Sequence, residues 1–206
     1  MQRFLTEFLK LGQKRIVLAS QSPRRIQLLR DLGLEFEIHP AAIDENLEQV
    51  TDPLELARKL ALEKAHVVAE RVEGDLIIAA DTLVTLDHHI FPKPQSREEA
   101  FHMLETLQGK THFVITGLAL VTPETTIVDH GSTAVTFYPM SREEIEFYLT
   151  TQEPFDKAGA YAIQGKAAVF IERIEGDFYN VVGFPVGKFF QHLKELFGPK
   201  TGKEQG

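Results

Sequence analysis

A mixed α/β fold, a twisted sheet flanked by helices, is what this sequence predicts, and three observations carry the prediction. Short branched apolar runs at 16–19 and 76–80 alternate with longer stretches of helical periodicity along the whole length. Alternating stretches at 34–38 and 133–138 read as strands with one solvated face, the pattern of antiparallel pairs rather than of a buried parallel sheet. No linker-like block, internal repeat or low-complexity stretch interrupts the 206 residues, which is a length one good-sized core can organise. Residues 1–15 are expected to be an extension, 16–197 a single domain whose two lobes have no boundary visible in composition, and 198–206 a disordered tail.

Taken in order, Phe4, Leu5, Phe8, Leu9 and Leu11 fit one face of a short helix packed on the body. Residues 16–19 form a buried strand. Ser22 followed by Pro23 pairs an N-cap residue type with proline at the first helical position. A helix therefore starts at Pro23, passes through Ile26, Leu28, Leu29 and Leu32, and stops at Gly33. Residues 41–53 form an acidic loop carrying Asp44, Glu45 and Glu48. A helix over 54–72 places Leu60, Ala61, Ala65 and Val68 on one face, and the Lys64 stem lies on that apolar side as in a snorkelling lysine. The strand 76–80 ends in Asp81-Thr82, 83–86 continues extended, and Asp87-His88-His89 turns. Pro92 and Pro94 stiffen the backbone around Lys93. Ser96 with Glu99, and Ser141 with Glu144, are capping boxes; the first opens a helix ending at Gly109. Residues 112–121, 133–138 and 169–174 read as strands, Glu175-Gly176-Asp177 as a turn, and a last helix ends near Gly198.

Composition removes several classes of function. A formal charge of −8 leaves no broad phosphate-neutralising surface, so nucleic acid is not an expected partner. The absence of cysteine excludes disulfides, thiolate zinc sites and a cysteine nucleophile. No apolar run approaches membrane-spanning length, and residues 1–15 carry Glu7 without the apolar core of a secretion signal. The expectation is a soluble, cytoplasmic protein without a membrane partner. There is no GxxxxGK[ST] loop, no GxGxxG opening a βαβ unit and no GxSxG elbow, and His88-His89 lacks metal-ligand spacing to other histidines.

What remains points to phosphate. A strand end, a helix N-terminus and the adjacent Arg24 and Arg25 together form an anion site. The alternative is a solvated basic first turn, but cations sit on the unfavourable end of a helix dipole, and a bound anion would relieve that conflict. Asp81 at a strand end could bind a hard divalent metal or act as a base, or else cap the next turn. Glu45 is the natural second metal ligand, against a solvated loop residue, and Lys64, Lys93 and Lys157 are candidate phosphate clamps. Residue chemistry alone thus reaches an α/β protein for a phosphate ligand, with a divalent metal at Asp81 as one of the options.

The string Leu18-Ala19-Ser20-Gln21-Ser22-Pro23-Arg24-Arg25 resembles the opening signature of the Maf family of nucleotide pyrophosphatases. Later blocks follow in that family's order: Ala80-Asp81-Thr82, Lys93-Pro94, Leu107-Gln108-Gly109-Lys110-Thr111-His112, Thr116-Gly117, Glu153-Pro154, Asp156-Lys157-Ala158-Gly159-Ala160-Tyr161, Ile163-Gln164-Gly165 and Asn180-Val181-Val182-Gly183-Phe184-Pro185. The resemblance implies hydrolysis of a nucleoside triphosphate to the monophosphate and pyrophosphate, with magnesium or manganese as the divalent cofactor. It also implies two lobes around a deep cleft, similar to inosine triphosphate pyrophosphatases, and pairing as a homodimer. Asp81 would be the proton acceptor and touch the metal, with Glu45 as a further metal ligand. Ser20, Arg24, Lys64, Lys93 and Lys157 would hold the phosphates. Arg25, Thr82 and Gln164 match the subgroup acting on dTTP and UTP. The subgroup acting on 7-methyl-GTP has Trp-Arg after Ser-Pro, glutamine after the aspartate and glutamate before the glycine, none of which occurs here. Phe91-Pro92 and Phe184 depart from the family's usual small residues and leucine, which concerns the shape of the Lys93 loop rather than the lysine. Because family members are linked to septum formation, a nucleotide- or nucleic-acid-binding regulator of cell division that does not depend on catalysis is the alternative.

Overall fold

The computed structural model describes residues 3–43 and 52–198. Asp44, Glu45 and Glu48 of the acidic loop, and all of the tail beyond Gly198, lie outside the described residues. The chain runs α1 (Phe4–Phe8), β1 (Ile16–Leu18), α2 (Pro23–Asp31), β2 (Glu37–Ile38), α3 (Pro53–Ala69), β3 (Leu76–Leu86), β4 (His89–Phe91), α4 (Arg97–Leu107), β5 (Thr111–Val121) and β6 (Thr126–Phe137). It continues with α5 (Arg142–Tyr148), four short 3₁₀ turns between Leu149 and Phe170, β7 (Ile171–Glu175), α6 (Phe178–Val182) and α7 (Val186–Phe197).

One mixed sheet has the order β2-β1-β3-β5-β6-β7, with β4 paired to β3. β2, β1 and β3 are parallel, and everything beyond β3 is antiparallel. The even-numbered side chains Leu18, Leu76, Ile78, Leu118 and Leu120 pack with Leu28 and Leu29 of α2 and Phe189 and Leu193 of α7. The odd-numbered Val17, Ile77, Ala79 and Ala119 pack instead with Ala61, Ala65 and Val68 of α3. This follows from the period-2 alternation of strands, which sends neighbours to opposite faces. Further along β3, β5 and β6, Val84, Val114 and Phe137 join Leu104, Leu107, Leu149 and Tyr161 in another cluster. The long strands therefore connect three apolar clusters, two on opposite faces of the sheet and one at their far end.

Several expected elements shift in physically instructive ways. α1 exists, but Phe4 and Phe8 lie on its exposed face (53% and 56%) while Leu5, Leu9 and Leu11 are buried. The five apolar residues do not share one face because only Leu5 of the short helix can turn inward with the two leucines after it. The strand expected at 34–38 is reduced to Glu37–Ile38, and that at 169–174 starts at Ile171 after a 3₁₀ turn. Gly33 takes the left-handed φ of +71° that closes α2. At Ser141 the capping box is complete; at Ser96 the hydroxyl caps Glu99, but Glu99 accepts from Gln95 N–H instead. The turn between β3 and β4 is the two residues Asp87 and His88, both at positive φ, and His89 is already paired in the hairpin.

His112 is fully buried, edge-on to Phe137 and hydrogen-bonded through Nε2 to the Tyr161 hydroxyl at 2.8 Å. Burial pushes its pKa from 6.5 down to about 4. In that window the unfolded chain binds the extra proton, so stability falls as pH falls from 6.5 toward 4, by up to about 3 kcal/mol. Denaturant melts across this range should show that slope flattened in His112→Gln; an equal slope would contradict a neutral buried imidazole.

Candidate functional site

β1 is the switch point of the sheet: the chain leaves it through α2 to β2 on one side and returns through α3 to β3 on the other. Ligand crevices of α/β sheets lie beyond the C-terminal ends of strands at such a point. Here the crevice has a definite cause. β1 pairs with β3 only as far as Leu18 opposite Ile78, and β4 takes over only at Val84. Between them, residues 79–83 of β3 have no strand on that edge among the described residues, while β5 pairs the other edge continuously.

Asp81 and Thr82 sit in that gap. Asp81 does not end its strand, as the sequence suggested; β3 runs on unbroken to Leu86. The antiparallel partner β5, out of sight in a local pattern, carries the strand past it. Asp81 is 8% exposed and forms an ion pair with Lys64, which reaches across from α3. Lys64 therefore does not snorkel to solvent; a buried carboxylate takes its ammonium. α3 comes this close because β5 carries Gly117 directly opposite Asp81. A Cβ there would stand 2.0 Å from the Ala57 carbonyl oxygen.

Thr82 points to the opposite face. Its Oγ1 accepts from Arg25 Nη2 at 2.9 Å and lies 3.0 Å from Thr116 Oγ1. Arg25 Nε donates to the Gly183 carbonyl at 2.8 Å, and Nη1 reaches Ser20 Oγ at 3.4 Å. Ser20, 8% exposed, also accepts from Ser22 N–H at 3.2 Å. That contact replaces the expected side-chain cap: Ser22 is the N-cap of α2 in backbone terms, but its hydroxyl makes no capping bond. The first turn of α2 is thus held by Ser20.

Across the crevice, the segment of 3₁₀ turns brings further charge. Glu153 accepts from the Lys166 and Ala167 N–H groups and from the Tyr148 hydroxyl, which folds residues 162–167 around it. Lys157 pairs with Asp156 and donates to the Glu153 carbonyl at 3.4 Å. Burial lowers the pKa of Arg24, opposed by the carboxylates of Asp156 and Glu153. Its Nε is buried with no acceptor among the described residues. The loop of Lys93 docks on the same segment through Gly159 N–H to the Pro92 carbonyl, with the lysine side chain exposed.

Of the residues singled out from sequence, the structure joins Ser20, Arg25 and Thr82 by hydrogen bonds, Lys64 with Asp81, and Lys157 with Asp156. Gln164 is exposed on the segment around Glu153. Glu45 falls outside the described residues, within which no group of three or more His, Asp or Glu side chains could hold a metal. Sequence reasoning missed Thr116, Asn180 and Gly117 as individuals, quoting them only within larger blocks. Their signal was a polar residue and a glycine inside an otherwise apolar strand.

Fold and crevice together define an α/β protein with a gap on one edge of its central strand, a cation-paired carboxylate on one face of that strand and an arginine–threonine pair on the other. The chain belongs to the Maf family: the family model described as Maf-like protein matches residues 15–196. It is 44% identical over 183 residues to the dTTP/UTP pyrophosphatase of Bacillus cytotoxicus, covering 89% of this chain and 96% of that one. To the dTTP/UTP pyrophosphatase of Symbiobacterium thermophilum it is 45% identical over 186 residues, 90% of this chain and 96% of the relative. The solved structure of the Staphylococcus aureus Ham1 protein shares the fold at a TM-score of 0.51 and 15% identity, over 87% of this chain and 99% of that one.

Proposed function

We propose that this protein hydrolyses dTTP and UTP to the nucleoside monophosphate and pyrophosphate, clearing them from the nucleotide pool. The observation that carries the reading is the edge of β3 left without a strand among the described residues, where Asp81 with Lys64, and Arg25 with Thr82, flank one gap. Family membership and the names of the relatives support it. Asp81 takes the proton of the water that attacks the α-phosphorus, and pyrophosphate departs. Ser20, Arg24, Lys64, Lys93 and Lys157 hold the phosphates and offset the charge growing on the leaving group. The buried Arg24 Nε, without an acceptor among the described residues, suits this role, because a phosphate oxygen would satisfy it.

A divalent ion, magnesium or manganese, fits the donor set. Such ions bind through one or two carboxylates plus substrate phosphates, so Asp81, with Glu45, is sufficient and a three-residue cage is not required. Bound there, the ion would supply Lewis-acid stabilisation of the phosphoryl charge. Arg25, Thr82 and Gln164 read the base. The protein acts in the cytoplasm, as a homodimer, and none of its described helices is long and apolar enough to cross a membrane.

Product analysis tests the reaction. Hydrolysis of UTP in ¹⁸O-labelled water should give labelled UMP and unlabelled pyrophosphate; UDP with phosphate would contradict attack at the α-phosphorus. Gln164→Glu replaces a donor with a charged acceptor and should lower preference for UTP over CTP by about tenfold. Unchanged relative kcat/KM would remove Gln164 from base selection.

A further inference from the structure

Thr82 has one hydroxyl hydrogen, and the residues behind it dictate where that hydrogen points. Thr116 is fully buried, and its Oγ1 donates to the Asn180 carbonyl at 3.0 Å. Asn180, also fully buried, is itself fixed: its Nδ2 donates to the Val114 carbonyl at 2.9 Å and to Thr133 Oγ1 at 3.1 Å. A threonine has only one hydrogen to give. With Thr116 committed to Asn180, the 3.0 Å contact between Thr116 and Thr82 is a bond only if Thr82 donates. The opposite arrangement, Thr116 donating to Thr82, would set two lone pairs against each other at 3.0 Å between Thr116 Oγ1 and the Asn180 carbonyl, away from water. Thr82 also accepts from Arg25. Its hydrogen is therefore used inward, and one lone pair is left on a half-buried oxygen at the crevice.

We infer that Thr116 and Asn180 are positioning residues that lock Thr82 as an obligate hydrogen-bond acceptor, and that this polarity selects a base whose ring nitrogen carries hydrogen. The inference rests on the reading above in which Thr82 faces the base. Uracil and thymine offer N3–H to such an acceptor, whereas cytosine turns an N3 lone pair toward it. Discrimination against cytosine then comes from a hydroxyl that cannot rotate, held by residues that touch no substrate.

The test is the ratio of kcat/KM for UTP to that for CTP. Thr116→Val keeps the shape and removes the acceptor for Thr82, which frees that hydroxyl to donate to cytosine. The ratio should fall about tenfold, chiefly through a gain on CTP relative to UTP. Thr116→Ser, which restores the hydroxyl, should return the wild-type ratio, whereas general damage would lower both nucleotides together and leave the ratio in place. Should Thr116→Val fail to fold, Thr82→Val on the accessible side serves instead, since losing the acceptor should also collapse the ratio. A wild-type ratio in Thr116→Val, or in Thr82→Val, overturns the lock while leaving the pyrophosphatase reading intact. Absence of turnover by the wild-type protein on either nucleotide overturns that reading, and the lock with it.

Discussion

Asp81→Asn is expected to lower turnover of UTP by about 10²–10⁴-fold, because the amide cannot accept the proton of attacking water. The substitution keeps the size of the side chain at a position that is 8% exposed and opposite the Lys64 ammonium. Nucleotide binding should persist, since of the residues assigned to the phosphates only Lys64 pairs with Asp81, and Ser20, Arg24, Lys93 and Lys157 keep their contacts. Equilibrium binding of UTP together with a steady-state rate assay separates the two effects. A variant that turns over at the wild-type rate would remove Asp81 from the chemistry. The same variant addresses the regulatory alternative: if overproduced Asp81→Asn still blocked cell division, that phenotype would not depend on catalysis.

Gly117→Ala is expected to be the most damaging single methyl in the protein's centre. The new Cβ would lie 2.0 Å from the Ala57 oxygen, 2.4 Å from its carbonyl carbon and 2.9 Å from the Arg58 nitrogen. All three are backbone atoms of α3, so no side-chain rotation relieves the clash and the helix must move. Overpacking of this kind costs about 1–3 kcal/mol or more. α3 also carries Lys64, so a displacement of about 1 Å should cut kcat/KM by up to about 10²-fold. Gly187→Ala on α7 is the control, because among the described residues nothing lies within 4 Å of its Cβ and a helical alanine is favourable. Denaturant unfolding and UTP kinetics on both variants check the argument. A Gly117→Ala protein as stable and active as Gly187→Ala would show that α3 does not depend on that close approach.

How far the fold could be read in advance depended on whether the cause was local. α2 was legible from Ser22-Pro23 through Gly33 because proline, periodicity and a left-handed glycine all act within one turn of where they stand. In the long antiparallel half of the sheet the pattern over 112–121 matches β5 almost whole, whereas the pattern over 133–138 covers only the end of β6, which begins at Thr126. Pairing with β5, a partner from elsewhere in the sequence, extends the strand through residues whose own pattern is mixed. The same distinction governs the site. Ser20, Arg24, Arg25 and Asp81 announce themselves as charged or hydroxyl groups beside apolar strands. Thr116 and Asn180 do not, because their effect is exerted through the direction of a hydrogen bond 34 positions away in one case, from Thr116 to Thr82. Nor can a sequence show that Asp81 and Thr82, adjacent in the chain, serve opposite faces of the sheet around a gap left by β1 and β4.

The account turns on one claim, that this crevice cleaves pyrimidine nucleoside triphosphates at the α-phosphorus. Pyrophosphate release across a panel of nucleoside triphosphates, with magnesium, with manganese and with chelator, tests it most directly. Metal-dependent release confined to dTTP and UTP is the expected result. Preferential release from 7-methyl-GTP would contradict the roles given to Arg25, Thr82 and Gln164, and no release from any nucleotide would contradict the catalytic reading itself.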